Sequence, residues 1–472
     1  MRHLYWYITT FLKKHGWVIL ISFVGAIVIF SLLIPFLINN FNLKQQHYIG
    51  LVGEYTLDNL PTEITEQISY GLMIIQEDDN EITPALAENY AISDNGTTYT
   101  FTLKDGLSWQ DGEPVTVESI NYNLPGIQTS REVNHLAFVL TEPFAPFLTR
   151  LTDPLIRYEM PHQGFLPAKT KLIGIGDNRL KNYEFKDQSN NKLSQVIVES
   201  PTDKWVYRFY LTEEQAVLAL KQGLVDEVQH LSHPRDLASW SNMIVTEQND
   251  QDKYLGLFFN LADTRFSNKN IRQAFAYAIE KGQVGQLVLS PISQKSWAYL
   301  KGAKRYDKNL DRAIERLTSD IPGEPLDFTL TTNSQNYGRA EEIKIELETL
   351  GEQAQAFCQK DPKKFPPESC PNARITVKID VNNFPDLNNY ELLLIGQKIP
   401  LDPDQYTLWH SDQAGNFTHY KNTRVDALLE TGRQELDHKA RTSTYQEFQQ
   451  VFLEDLPVVF LEYLTNFDIQ RQ

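Results

Sequence analysis

LDFTLTTNSQNYGRAEEIKIELETLG at residues 326–351, followed by ITVKIDV at 375–381 and LLLI at 392–395, carries the pattern that decides the fold. Leu326, Phe328 and Leu330 alternate with polar neighbours, as on a strand with one buried face. Ala340, Ile343, Leu347 and Leu350 then recur at helical spacing, and the helix is expected to stop at Gly351. Ile375, Val377, Ile379 and Val381 alternate again. Strand, helix and strand in this order predict a right-handed βαβ unit. The uninterrupted apolar run from Leu392 to Ile395 reads as a strand covered on both faces. The chain is therefore of the α/β class.

Working outward, Trp205, Tyr207, Phe209 and Leu211 alternate and lead into Thr212-Glu213-Glu214-Gln215, a capping box that opens a helix ending at Gly223. Ile271, Ala274, Phe275, Ala278 and Ile279 make one apolar helical stripe, with Ser267 as its expected N-cap. Helical spacing also links Val425 with Leu428 and Leu429, and Tyr445 with Phe448 and Phe452, ahead of an apolar strand from Val458 to Leu461. Nearer the start, Tyr99, Phe101 and Leu103 follow the turn Asp94-Asn95-Gly96 and read as antiparallel β. A chain of 472 residues exceeds one core, so two lobes are expected, with the polar stretch from Glu247 to Lys253 as the crossover between them.

The charges, 44 basic and 61 acidic, sum to −17. Residues 1–37 hold Arg2, Lys13 and Lys14 and no acid, so the rest carries 41 − 61 = −20. That surface is unsuited to nucleic acid, whose phosphates require clustered Lys and Arg. From Trp17 to Leu37, WVILISFVGAIVIFSLLIPFL runs 21 residues without a charge, enough to cross the roughly 30 Å hydrocarbon layer. A transmembrane helix over 17–38 is expected. The three basic residues ahead of it place residues 1–16 in the cytoplasm and the remainder outside, giving a single-pass protein of the cell membrane. A cleaved signal peptide would be shorter, and no Cys follows the run to carry a lipid.

Catalytic signatures are few. There is no H-E-x-x-H, G-x-S-x-G or Walker A sequence, and Gly174-Ile-Gly176 reads as a turn rather than a dinucleotide site. Asp402 and Asp404 flank Pro403, where solvated turn capping is the default. The only cysteines, Cys358 and Cys370, lie in CQKDPKKFPPESC, and no His or further Cys nearby would make a metal site. Two free thiols or a disulfide fit the spacing, and an exported compartment favours the disulfide.

Three ordered blocks resemble the peptide/nickel class of extracytoplasmic solute-binding proteins, family 5. GLVGEYTLDNLPTEITEQISYGLMIIQEDDNEITPALAENYAISDNGTTYTFTLKDGLSWQDGEPVT at 50–116 is similar to the family's succession of a P-x-L-A segment, a D-G-x-x-Y-T-F-x-L hairpin and a W-x-D-G-x-P-V-T turn. LGLFFNLADTRFSNKNIRQAFAYAIEKGQV at 255–284 and DPDQYTLWHSDQAGNFTHYKNTRVDALLETGR at 402–433 resemble its later elements. The resemblance implies a two-lobed periplasmic-binding-protein-like clamp of type II, cluster C. Lobe I would comprise 46–253 continued by 430–472, and lobe II 254–425. It also implies a monomer without cofactor or catalysis, which captures a small molecule or oligopeptide and delivers it to the permease and ATPase subunits of an ABC importer.

By the same resemblance Asn260 stands beside the cleft, and the loop Gly396-Gln397-Lys398-Ile399 lines the pocket. Peptide-binding members place an Asp in that loop to meet the peptide's ammonium; this chain has Lys398 and Pro400 there, which suits a carboxylate or carbonyl instead. Tyr55, Trp297, Tyr337, Tyr406 and Trp409 are candidate aromatic walls. Two rival expectations belong to other classes: an envelope hydrolase acting on peptide or cell-wall fragments, and a sensor or chaperone that keeps the clamp without a transporter.

Overall fold

The computed structural model describes residues 14–17, 22–23, 25–27, 29–31, 44–76, 80–160, 169–187, 191–282 and 286–472. Its centre is a ten-stranded sheet. In chain order its strands are β1 (Gln45–Val52), β2 (Arg179–Asp187), β3 (Lys192–Glu199), β4 (Asp203–Tyr210), β5 (Glu227–Leu231), β6 (Met243–Phe259), β7 (Leu326–Thr332), β8 (Ile375–Val381), β9 (Leu392–Lys398) and β10 (Val458–Arg471). The spatial order is β2-β3-β4-β1-β5-β10-β6-β9-β7-β8. Helices α1 (Glu213–Lys221), α2 (Lys269–Ala278), α3 (Leu310–Ser319), α4 (Tyr337–Lys360), α5 (Thr423–Gln434) and α6 (His438–Asp455) lie among them.

The strand–helix–strand reading of 326–381 holds: β7 and β8 pair in parallel, Leu326 opposite Ile375 through Thr332 opposite Val381. The helix, however, does not stop at Gly351. Its buried stripe continues through Ala354 to Cys358. Gly351 is there for closeness, since a Cβ on it would fall 2.5 Å from the Ile375 amide nitrogen. A second correction concerns α2, whose N-cap is Asn268 and not Ser267. The Asn268 side chain accepts from the Asn270 amide at 2.9 Å, while the Ser267 hydroxyl is committed to the Thr264 carbonyl at 2.7 Å.

Burial on both faces of LLLI has a simple origin. Leu392 and Leu394 join Leu255, Leu257 and Phe259 under α2, α3 and α4, whereas Leu393 joins Tyr254 and Phe258 under α5 and α6. Two helical layers thus enclose one stretch of sheet.

Polar residues 247–253 are not a loop. They lie inside β6, which pairs with β10 from Met243 opposite Arg471 to Phe258 opposite Val458, with the register interrupted between Asp250 and Tyr254. β5 attaches to the Phe467–Gln470 end of β10, and β9 to the Lys253–Phe259 part of β6. Each half of the sheet therefore hangs from a different end of one strand pair, which gives the two lobes. The expected return to lobe I at residue 430 is displaced: Val425, Leu429, Tyr445, Phe448 and Phe452 share a core with Tyr254 and Leu393 of lobe II. Only the last part of β10 pairs with lobe I.

Lobe I also carries a four-stranded antiparallel unit over 87–139, with Tyr99, Phe101, Leu136, Phe138 and Phe147 in its core. The Gln110 side chain moors it by donating to the carbonyls of Ile68 and Gly176, both at 2.9 Å. The G-x-G sequence belongs to this mooring. A Cβ on Gly174 would overlap the Ile68 carbonyl oxygen, so the glycine permits a backbone contact.

Among the described residues no helix is long and apolar enough to cross a membrane. Most of the run from Trp17 to Leu37 is either outside the described residues or described in fragments; those fragments are helical, and Trp17, Phe23, Ile27, Ile29 and Phe30 are exposed. Cys358 and Cys370 are joined by a disulfide with their Cα atoms 5.5 Å apart, beside the buried Phe365.

Candidate functional site

In an open α/β sheet, ligands collect outside the carboxyl ends of the parallel strands. In lobe II, β7, β8 and β9 run in parallel and end at Thr332, Val381 and Lys398, on the side where β6 and β10 cross. In lobe I, β1 is parallel to β4 and β5. Leu231, at the end of β5, is opposite Phe467, nearer the crossover than Gln470, which faces Glu227. The carboxyl ends in both lobes thus point toward one crossover.

At that crossover the sheet has a step. Val381, Thr332 and Leu394 form one row across β8, β7 and β9. Beyond the row β7 and β8 turn away, and their turns are tied together: the Asn382 amide donates to the Thr332 carbonyl at 2.7 Å, and the Ser334 amide to Asn383 Oδ1 at 2.9 Å. β9 continues for four more residues, Ile395 to Lys398, paired among the described strands with β6 alone. One edge of its backbone is left open toward the cleft. Gly396 and Lys398 are exposed. Lys398 also stands directly opposite Lys253. Lys398 has no ion pair among the described residues.

The expected site residues fall into two groups. Gln397 and Lys398 are at the step. Tyr55, just past the end of β1, belongs to the crossover-facing end of lobe I; its ring lies 4.8 Å from Phe209, its hydroxyl donates to the Val52 carbonyl at 3.0 Å, and burial with the nearby Glu63 carboxylate raises its phenol pKa. Tyr337 follows the end of β7, half exposed, donating to Glu341.

Asn260 is elsewhere. It follows Phe259 at the opposite end of β6, about 20 Å from the crossover at strand rise. Its amide donates one bond to the Tyr390 carbonyl at 2.7 Å and accepts one from the Ala262 amide at 3.1 Å. Trp409 is a core residue, its ring centroid 4.5 Å from that of Phe452. Tyr406 lies under the Arg433 guanidinium at 4.3 Å, and Trp297 packs on His438 at 4.4 Å.

Asp402 and Asp404 do cap the turn, accepting from the Asp404 and Tyr406 amides at 2.9 and 3.0 Å, but they are largely buried rather than solvated. Asp402 accepts two bonds from Arg441, at 2.9 and 2.5 Å, and Asp404 lies 3.2 Å from Arg433; burial pushes the Asp404 carboxyl up. Among the described residues no group of three or more His, Cys, Asp and Glu could hold a metal ion. Sequence reasoning missed Lys253 and the step itself, because both depend on which strands pair and where pairing stops.

The sequence matches the family described as bacterial extracellular solute-binding proteins, family 5 (middle region), over residues 81–131 and 132–348, more than half of the chain. The chain belongs to this family. It is 22% identical to the oligopeptide-binding protein AppA of Bacillus subtilis over 89% of this chain and 86% of that one. In fold it is similar to the nickel ABC transporter protein of Bacillus halodurans, with a TM-score of 0.71, 16% identity, and coverage of 91% of this chain and 95% of the other. It is likewise similar to DppA from Helicobacter pylori in complex with the peptide STSA, with a TM-score of 0.61, 20% identity, and coverage of 91% and 94%. This family 5 chain is a two-lobed extracytoplasmic solute-binding protein, and it is not an enzyme.

Proposed function

We propose that the chain captures an oligopeptide with a free carboxylate between its lobes and hands it to an ABC permease with its ATPase subunits. The observation that carries this reading is the open edge of Ile395–Lys398 at the step. An extended peptide can add to such an edge through main-chain hydrogen bonds, which secure affinity without fixing sequence. Lys398, exposed at the step, suits the peptide's carboxylate, and Gly396–Ile399 holds no acid for its ammonium. Relatives named for oligopeptides and dipeptides support the same class. Closure follows because only the shut form lets both lobes touch the solute.

In this reading residues 17–38 tether a monomer to the membrane, with 1–16 cytoplasmic. The exposed apolar side chains of the described fragments favour lipid over a protein core as their surroundings. The lobe boundary lies at about residue 253, with Tyr55 and Gln397 on facing walls.

The full chain in detergent, stripped of carried solute by unfolding and refolding, is titrated calorimetrically with a pool of tri- to pentapeptides and with the same pool amidated at its C-termini. Heat with the free acids, and a Kd about tenfold weaker for the amides, is expected. No heat with either pool sinks the peptide assignment, whereas equal binding of both removes the role given to Lys398.

A further inference from the structure

The lobes also meet away from β6 and β10. The Arg433 guanidinium, near the end of α5 in lobe II, lies over two rings: its central carbon is 4.9 Å from the centroid of Phe144, which belongs to the four-stranded unit of lobe I, and 4.3 Å from that of Tyr406 in lobe II. Asp404 Oδ2 lies 3.2 Å from Arg433 Nε, an ion pair inside lobe II whose geometry is not that of a hydrogen bond. Three residues on, Leu436 packs over Gly96, at the turn of the same unit. Gly96 has φ +93°, and a Cβ on it would fall 2.5 Å from Leu436 Cδ1. A side chain there is doubly excluded, by backbone conformation and by the neighbouring lobe.

These contacts differ in kind. Arg433 with Tyr406 and Asp404 is internal to lobe II and survives any rotation of one lobe against the other. Arg433 with Phe144, and Leu436 with Gly96, cross from lobe to lobe and break when the crossover strands flex. A flat cation can lie over two rings at once, which an ammonium cannot do equally well.

We infer that Arg433 is a positioning residue for capture: by lying over both Phe144 of lobe I and Tyr406 of lobe II, it clasps the lobes together before any solute arrives. The clasp sets the fraction of molecules already closed, and solute affinity scales with that fraction. Loss of the clasp lowers the closed-to-open ratio by about three- to tenfold. The inference holds whichever solute the cleft takes.

The test needs no solute. Spin labels at Val133→Cys and Phe384→Cys, exposed residues on the lobe I unit and on lobe II, report the opening, because the native cysteines are joined to each other and take no label. In the full chain in detergent, refolded free of carried solute, Arg433→Ala and Phe144→Ala each move the label-to-label distances outward, and the double variant moves them no further than either alone. Arg433→Lys, which keeps a charge beside Asp404 but loses the flat face, moves them outward as well. Unchanged distances in Arg433→Ala, with or without a lower melting temperature, overturn the clasp; so does a Lys variant indistinguishable from wild type, which would reduce the site to charge pairing inside lobe II.

Discussion

Asn260 and Lys398 stand on neighbouring antiparallel strands, β6 and β9, at opposite ends of the same pairing. At one end Phe259 faces Leu392, the sheet is enclosed by helices, and the Asn260 amide has a backbone partner for each of its functions. At the other end Lys253 faces Lys398, side chains are exposed, and one edge of β9 has no strand beside it. The same two strands thus supply a core at one end and, in the function proposed above, a surface for capture at the other. In such a sheet the binding capacity lies where pairing runs out. A polar group that its own lobe already bonds must give up those bonds, or use only what they leave, to meet a solute.

The comparison can be pressed hardest at the support of the open end. β9 leads through Ile399 into the turn at Asp402, which Arg441 holds with two bonds, both residues being nearly buried. Asp402→Ala leaves the guanidinium buried and unpaired, and urea unfolding is expected to show a loss of about 3–5 kcal/mol. Because the turn follows the step directly, solute binding should weaken in the folded fraction as well. A loss under about 1 kcal/mol would mean that the step stands without this anchor.

At the enclosed end, Asn260→Ala removes a donor and an acceptor from a partly buried turn. A loss of about 1–3 kcal/mol in unfolding free energy is expected, with Kd for bound peptide unchanged. Should Kd rise severalfold while stability holds, the division between the two ends would be wrong, and the residue would belong to the cleft after all.

Much of this arrangement is legible in the sequence and some of it is not, for identifiable reasons. Alternation at Leu326–Leu330 and Ile375–Val381 reports a buried face, a local property, and so finds β7 and β8 correctly. Gly351 misleads because composition cannot tell a glycine that ends a helix from one that lets a helix approach a strand. Glu247–Lys253 look like a loop because they are polar; the strand character of Glu247–Asp250 comes from pairing with residues some 200 positions away in β10, and that of Lys253 from pairing with β9. For the candidate site, Gln397 and Lys398 are proposed from a motif that reads as a loop in sequence, whereas Gly396, Gln397 and Lys398 lie in β9. Trp409 and Tyr406 are indistinguishable by type from pocket aromatics, and only their contacts with Phe452 and Arg433 assign them to packing. The ion pairs of Asp402 and Asp404 are invisible until α5 and α6 fold back over the turn.

The smallest effect on stability, and the most informative about function, is expected at the open end itself. Lys398 is exposed and has no ion pair among the described residues, so Lys398→Gln breaks no side-chain bond the fold depends on. Unfolding free energy should therefore stay within about 0.5 kcal/mol of wild type. Binding should respond differently. If the ammonium meets the peptide carboxylate, the free-acid pool should bind about five- to tenfold more weakly to the variant while the amidated pool binds as before, and the gap between acid and amide should shrink as salt is raised. Equal weakening of acids and amides would mean that Lys398 shapes the edge without reading charge. No change with either would move the carboxylate to another part of the crossover, with Lys253 as the next residue to replace.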